Sequence, residues 1–271
     1  MSPTVLVPVQ APALGLDACL AALERSLPEG APVLVADDAC ADPRVGELAA
    51  GWCGRTRLGA RYLRRERALG FAGNVDAAFA DVPEGDLVLL RCDGEPTPGW
   101  LTRLQRAAEA DPRAASIAAW SGENELAGFI DASAPATVAE AAASLDWPEA
   151  PTLPAAAGPA LYLRRTALRA LGGLDTATFP GWGALDDLCR RAEALGWRNL
   201  LCASAYVGRG ADADGGAALG EIERLQMRWP DFQERIARFI LEDPLRPLRE
   251  RLRARIIELS RGGPQGDLFG H

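Results

Sequence analysis

Short apolar runs alternate with amphipathic segments over the first 120 residues of the chain. Runs of four or five residues have the usual length of buried strands, and they predict strands at residues 5–9, 33–36, 60–63, 87–90 and 116–119. Between the runs, apolar residues recur at spacings of 3 and 4, for example at Leu16, Leu20, Leu23 and Leu27. The alternation predicts an α/β fold in which helices flank a mostly parallel sheet.

The second half of the chain begins with a less regular stretch. Residues 121–157 are rich in Ala, Pro and Ser, and they predict loop structure with one helix around residues 138–144. The regular pattern resumes with a strand at residues 160–163 and a helix at residues 166–171. Another helix is expected after residues 181–183, ending near Gly196, and the last 50 residues read as amphipathic helices.

The final predicted helix combines an apolar stripe with several arginines. Its apolar positions follow spacings of 3 and 4 at Leu245, Leu248, Leu252, Ile256 and Leu259. This pattern is typical of a helix that packs on the body of the protein with a solvated basic face. It also suits a helix that contacts anionic lipid or a partner protein, and the sequence leaves both alternatives open.

Charge and residue usage exclude several functional classes. The formal net charge of −8 argues against nucleic-acid binding, which needs a basic surface. All 29 basic residues are Arg, so lysine Schiff bases and phosphate-binding lysines of the Walker type are excluded. The one histidine, His271, is the last residue, which argues against mechanisms that need an internal imidazole as base.

Cysteine spacing and hydropathy indicate the compartment. The six cysteines are scattered singly, without the close pairs of a zinc site, and we expect reduced thiols. No apolar stretch approaches 18 residues and no charged leader precedes one. We therefore expect a cytoplasmic protein that does not span a membrane, with contact at the inner membrane face open through the C-terminal helices.

Acidic residues come shortly after two of the predicted strands. Asp37 and Asp38 come after the second strand, and Asp93 and Glu95 come after the fourth. Ligands of open α/β sheets bind beyond the carboxyl ends of the strands. The sequence therefore predicts that these four carboxylates lie near one crevice.

Taken together, these segments resemble glycosyltransferase family 2 in their order and spacing over some 240 residues. The segments that carry the resemblance are residues 5–9 (Val-Leu-Val-Pro-Val), 33–38 (Val-Leu-Val-Ala-Asp-Asp), 68–74 (Ala-Leu-Gly-Phe-Ala-Gly-Asn), 86–93 (Asp-Leu-Val-Leu-Leu-Arg-Cys-Asp), 172–175 (Gly-Gly-Leu-Asp), 179–183 (Phe-Pro-Gly-Trp-Gly) and 187–190 (Asp-Leu-Cys-Arg). The resemblance implies a GT-A-like fold with a nucleotide-sugar-binding half at residues 1–120, an acceptor-side half at 121–215 and a C-terminal helical extension at 216–271.

The resemblance also implies which residues bind the donor, a nucleoside-diphosphate sugar with UDP, dTDP or GDP as the nucleotide. Backbone groups and a carboxylate would contact the base, glycines at a helix entry would approach the ribose or diphosphate, and arginines would touch the diphosphate. The residues implied are Pro8, Val9, Asp37 or Asp38, Gly70, Asn74, Arg91 and Arg209. Asp37 and Asp38 can instead cap the following turn.

For the metal, the resemblance implies Mg²⁺ or Mn²⁺ held at Asp93, where members of the family often present Asp-x-Asp. Arg91 occupies the earlier position of that motif here, and Glu95 is a candidate second oxygen ligand because alternate residues of an extended segment share one side. Arg91 can instead neutralise phosphate directly.

The implied catalytic base is the largest departure from the family pattern. Ala184 and Leu185 stand where the family usually has a pair of acids, and neither accepts a proton. Asp186 or Asp187 can replace that pair, or both can stabilise the helix N-terminus. Two hypotheses follow: an inverting transferase acting on a saccharide or other polymer in glycan biosynthesis, or a catalytically degenerate domain that serves as a binding or scaffold partner.

Overall fold

The computed structural model describes residues 2–10, 13–82, 84–122, 124–147, 150–210 and 219–262. Within these ranges the strands are β1 (Thr4–Val9), β2 (Pro32–Asp37), β3 (Gly59–Arg64), β4 (Leu87–Leu90), β5 (Gly94–Pro96), β6 (Ala114–Trp120), β7 (Ala160–Leu163) and β8 (Arg198–Arg209). The helices are α1 (Leu16–Ser26), α2 (Pro43–Cys53), α3 (Gly70–Asp81), α4 (Trp100–Ala110), α5 (Pro135–Ser144), α6 (Arg165–Leu171), α7 (Gly183–Ala194), α8 (Leu219–Arg228), α9 (Phe232–Glu242) and α10 (Arg246–Gly262).

The strands form one mixed sheet in the order β3-β2-β1-β4-β7-β6-β8-β5. The first four positions pair in parallel, whereas β7 is antiparallel to both of its neighbours. Strand β8 runs parallel to β6 and antiparallel to β5. Because β1, β2 and β4 run in one direction, their carboxyl ends meet at one edge. The predicted α/β fold with a mostly parallel sheet and C-terminal helices is confirmed.

Strands β1, β2, β4, β6 and β7 are almost continuously apolar because helices cover both faces of the sheet there. Along β1, Leu6 packs into the core on one face, and Val5 and Val7 pack into the core on the other. This division follows from the two-residue period of a strand, whose successive side chains point to opposite faces. The first core is shared with α3, α7 and the C-terminal helices, and the second with α1 and α4.

All six strands predicted from apolar runs are present, within one or two residues of the predicted bounds. Helix α2 and strands β5 and β8 were not predicted. The N-terminus of α2 carries a local signal, since the Asp42 carboxylate accepts a hydrogen bond from the Arg44 N–H and Pro43 is the first helical residue. Strand β8 contains Ala, Ser and Gly among its apolar residues, and its burial depends on pairing with β6.

Helix α10 packs on the body of the protein through both its apolar and its basic residues. Leu252 and Ile256 are buried. The guanidinium groups of three arginines lie over aromatic rings, with Arg249 5.7 Å from Trp120, Arg251 4.9 Å from Trp147 and Arg253 5.4 Å from Phe129. Part of the basic face therefore contacts the body of the protein, although Arg251 and Arg253 also stay exposed. No helix within the described ranges has both the length and the apolar character needed to cross a bilayer.

Candidate functional site

A cavity of about 1070 Å³ lies beside the sheet, next to the ends of β4 and β8 and the beginning of α7. Helices α8 and α9 supply much of the rest of its lining. Its charged lining residues are Arg91, Glu125, Asp186 and Arg209. Three of these, Arg91, Asp186 and Arg209, are residues that the sequence analysis selected.

Arg91 and Arg209 are joined through the carboxylate of Asp93. The Arg91 guanidinium donates to both oxygens of Asp93, with Nε to Oδ1 at 2.9 Å and Nη2 to Oδ2 at 2.8 Å. The Arg209 Nε lies 3.3 Å from Oδ2 of the same carboxylate. Burial raises the pKa of Asp93, but the hydrogen bonds and charges of the two arginines outweigh that effect and lower it below its usual value. Asp93 is therefore an ionised anchor that orients two guanidinium groups.

The positions of these residues follow from the strand ends. Arg91 and Asp93 come after β4, and Arg209 pairs with Gly94 of β5. Gly15, with φ of +81°, passes over this turn so closely that a Cβ there would lie 3.2 Å from the Asp93 Cα. The Arg91 guanidinium also lies 4.6 Å from the centre of the Trp182 ring. The turn after β4 is therefore fixed by contacts with Gly15, Trp182 and Arg209.

Asp186 lies in the first turn of α7 and is half-buried at the cavity wall. Its Oδ1 accepts a hydrogen bond from the Ala156 N–H at 3.3 Å. Burial is the main reason that the pKa of Asp186 rises from 3.8 to about 7, and the carboxylates of Glu221 and Asp187 raise it further. A carboxyl group with this pKa exchanges a proton near neutral pH, as a general base must.

Asp187, the other predicted base, points away from the cavity. Its side chain is fully buried, and its oxygens accept hydrogen bonds from Arg191 at 2.7 Å, Arg228 at 3.0 Å and the Trp229 Nε1 at 3.0 Å. One residue along a helix rotates the side chain by about 100°, which explains why neighbours in sequence face different surroundings. Asp187 ties α7 to α8, and of the two carboxylates Asp186 is the one that faces the cavity.

The two acids at the end of β2, Asp37 and Asp38, accept hydrogen bonds from backbone and side-chain groups of the protein itself. Asp37 accepts hydrogen bonds from the Cys40 N–H at 2.8 Å and the Tyr62 hydroxyl at 2.6 Å. Asp38 accepts from the Leu69 N–H at 2.6 Å, the Gly70 N–H at 2.9 Å and the Gln10 side-chain amide at 3.1 Å. Both carboxylates are buried and fasten the loops that follow β2 and precede α3.

The other predicted donor residues lie near the same strand ends. Pro8 and Val9 close β1, and the Val9 carbonyl accepts from the Asp38 N–H at 2.9 Å. Gly70 begins α3 with φ of +75°. The buried Asn74 side chain donates to the Ala36 carbonyl at 2.8 Å. These residues form a group at the ends of β1 and β2 that does not contribute to the cavity lining, and their role in donor binding stays a prediction.

The residues present do not fit the predicted divalent cation at Asp93 and Glu95. Both oxygens of Asp93 are engaged by arginines, and breaking a buried ion pair costs roughly 3–5 kcal/mol. Glu95 lies in β5. In the part of the chain that the structure describes, no three acidic, cysteine or histidine side chains group as metal ligands. The reason for the mismatch is Arg91, whose positive charge occupies the place of a ligand.

Two features of the site were not identified from the sequence. Glu221 of α8 is buried, and its carboxylate accepts hydrogen bonds from the N–H groups of Gly181 and Gly183 at the start of α7. On α9, Phe232, Ile236 and Ile240 line the cavity at spacings of 4. That spacing is visible in the sequence as one helix face, but the sequence does not say that the face meets a cavity instead of a core.

The family model described as glycosyl transferase family 2 matches residues 4–135. A comparison with curated proteins gave no match.

Solved structures resemble the chain over nearly its whole length. GalNAc-T7 with UDP, GalNAc and Mn²⁺ matches with a TM-score of 0.65 at 13% identity, covering 94% of this chain and 54% of that one. The mannosyltransferase PcManGT from Pyrobaculum calidifontis, in complex with GDP-Man and Mn²⁺, matches with a TM-score of 0.59 at 17% identity, covering 97% and 76%. TarS 1-349 of S. aureus in complex with UDP-GlcNAc matches with a TM-score of 0.53 at 13% identity, covering 96% and 90%. This chain therefore spans about half the length of the first of these proteins, and the likenesses show a shared GT-A fold.

Proposed function

Because residues 4–135 match the model of glycosyl transferase family 2, we propose that this chain is a glycosyltransferase that moves a sugar from a nucleoside-diphosphate donor to a saccharide or other polymer acceptor. The observation that carries the proposal is the shared cavity, which brings the carboxyl group of Asp186 and the guanidinium groups of Arg91 and Arg209 to one space. Sugar transfer needs both kinds of group, a base for the acceptor and positive charge for the departing diphosphate.

In the proposed reaction, the oxygen of an acceptor hydroxyl attacks the anomeric carbon of the donor sugar from the face opposite the diphosphate. The new C–O bond forms as the bond between the anomeric carbon and the phosphate oxygen breaks, and the diphosphate leaves with the electron pair. Asp186 accepts the hydroxyl proton. Its pKa of about 7 gives it a large carboxylate fraction at neutral pH and lets it hold the proton afterwards. Direct displacement of this kind inverts the anomeric centre.

Arg91 and Arg209 are proposed to bind the diphosphate. Guanidinium groups match phosphate oxygens with paired N–H donors, and the Asp93 carboxylate already holds both groups in place. Two of the structurally similar proteins were solved with Mn²⁺. In this chain the donor set at Asp93 does not fit a cation, so the arginines are assigned the neutralising role.

The rest of the donor is proposed to lie along the ends of β1 and β2. In that arrangement residues 1–120 bind the donor and residues 121–215 contribute the acceptor side. Support comes from the direction of the strands, since β1, β2 and β4 present their carboxyl ends on one edge. The group formed by Pro8, Val9, Asp38 and Gly70 lies at that edge.

Calorimetric titration with UDP, dTDP and GDP tests the proposal. We expect one nucleotide to bind, with a Kd that is nearly the same in EDTA and in Mn²⁺. Arg209→Ala should weaken binding roughly 10- to 100-fold, as expected for loss of hydrogen bonds to a charged group. Arg106→Ala, which removes an exposed arginine of α4, should leave the Kd unchanged.

Each alternative result has a distinct meaning. If none of the three nucleotides binds, the transferase proposal is wrong and the scaffold hypothesis is favoured. Binding that requires Mn²⁺ would overturn the role of the arginines and return the metal to Asp93 and Glu95. Thermal unfolding of both variants shows whether a lost affinity reflects a lost fold.

A further inference from the structure

The part of the cavity formed by the C-terminal helices differs in chemistry from the part that carries Arg91, Asp186 and Arg209. Seven residues of α8 and α9 belong to the lining, and Gln233 is the polar one among them. The six apolar residues, called here the α8–α9 wall, are Ile222, Leu225, Phe232, Ile236, Ala237 and Ile240. The cavity therefore joins a charged region to an apolar one.

The apolar character continues to the opening of the cavity. Ile130 is 70% exposed and Ile240 is 46% exposed, and both are lining residues. Deeper lining residues such as Leu161 and Leu225 are buried. Exposed isoleucines that continue the apolar part of a cavity to its opening suit the binding of an apolar ligand. The volume of about 1070 Å³ is at the upper end of the size of small-molecule sites.

We infer that the α8–α9 wall binds an alkyl chain of the acceptor, so that the acceptor is an amphiphile with its hydroxyl-bearing head group at Asp186 and its aliphatic chain along α8 and α9. Calling this ligand an acceptor rests on the proposed function. A bare saccharide fits the wall poorly, because its hydroxyl groups would lose water and meet Gln233 as the polar partner that α8 and α9 provide.

An aliphatic chain fits better than an aromatic group. Aromatic ligands gain from stacking on rings, and the cavity lining contains Trp182 and Phe232. Trp182 already stacks on Phe71 at 3.9 Å and lies under the Arg91 guanidinium. The remaining apolar lining is Leu, Ile, Ala, Pro and Gly, whose contacts with methylene groups depend on area and not on orientation.

Binding of methyl, hexyl and decyl β-D-glucopyranoside, measured by calorimetry below the micelle concentration, tests the inference. The head group is constant in this series, so a change in affinity reports on the chain. We expect affinity to rise roughly 3- to 4-fold for each methylene group that enters the wall. Ala237→Trp places a large side chain in the space beside the α8–α9 wall that the alkyl chain would occupy. It should weaken the binding of decyl glucoside at least about 10-fold.

Glu234→Trp is the matched control, because Glu234 lies on α9 with its side chain 69% exposed and is not part of the cavity lining. It should leave the dependence on chain length unchanged. Affinity that does not depend on chain length, or a dependence that survives Ala237→Trp, would overturn the inference. So would sedimentation analysis that finds a second copy of the chain on this face, displaced by Ala237→Trp.

Nucleotide binding, measured in the same samples, separates this inference from the proposed function. UDP, dTDP or GDP should bind equally to the wild type, Ala237→Trp and Glu234→Trp. If no nucleotide binds, the transferase proposal fails, while the glucoside series still decides whether the α8–α9 wall takes an alkyl chain.

Discussion

Replacement of Asp186 by Asn should stabilise the protein at alkaline pH while removing the proposed transferase activity. Burial raises the pKa of Asp186 from 3.8 to about 7 in the folded state. Between these two pH values the folded protein keeps a proton that the unfolded chain has released. The contribution of Asp186 to stability is therefore full below pH 4 and is lost as the pH rises towards 7. Asn has nearly the same shape and no charge, so the variant lacks this loss.

The size of the effect follows from the change in pKa. A rise from 3.8 to about 7 corresponds to about 4 kcal/mol for a group sealed from water. Asp186 is half-buried and faces a cavity with an open mouth, so screening by solvent reduces the expected gain to about 2 kcal/mol. For a chain of this size, that gain raises Tm at pH 8 by about 5 °C. At pH 4 the two proteins should unfold at nearly the same temperature.

Thermal unfolding of wild type and Asp186→Asn, followed by circular dichroism at pH 4, 6 and 8, measures this difference. Asp146→Asn changes an exposed carboxyl group in the same way and should give no pH-dependent gain. Once a donor is identified, sugar transfer by Asp186→Asn should fall roughly 10²- to 10⁴-fold. A variant that is less stable at pH 8, or whose Tm difference is the same at pH 4, would refute the assignment of the raised pKa. A stabilised variant with normal transfer would refute the role as base.

Two further predictions concern the residues that hold the site together. Asp187→Asn should lower the free energy of unfolding by about 2 kcal/mol in denaturant titrations, because the fully buried carboxylate loses its charge-assisted hydrogen bonds to the partly exposed Arg191 and Arg228. Glu223→Gln on the exposed side of α8 should leave the free energy of unfolding unchanged. Gly15→Ala should destabilise the protein more than Gly30→Ala: both glycines have positive φ, but a Cβ at residue 15 would lie 3.2 Å from the Asp93 Cα, whereas one at residue 30 meets open space. Equal losses in the same titrations would contradict the close approach, and no loss for Asp187→Asn would contradict the ion-pair account.

Local sequence patterns predict most of the strands and helices. Continuous runs such as residues 87–90 predict buried strands because few other elements bury every side chain. The sequence also predicts that Asp37 and Asp93 lie near strand ends, since an apolar run stops before each of them. Strand β8 was missed because its small residues resemble a loop until β6 lies beside it.

The chemistry of the site depends on distances that no local pattern encodes. Asp93 and Arg209 are 116 residues apart in the chain and meet because β5 pairs with β8. Asp186 and Asp187 are adjacent and chemically identical, yet one faces a cavity and the other three hydrogen-bond donors. Periodicity reveals which residues share a face of a helix or strand, because that depends on backbone geometry alone. What each face meets depends on how separate elements pack. That packing decided that Asp186 faces the cavity and that Arg91 and Arg209 share the carboxylate of Asp93.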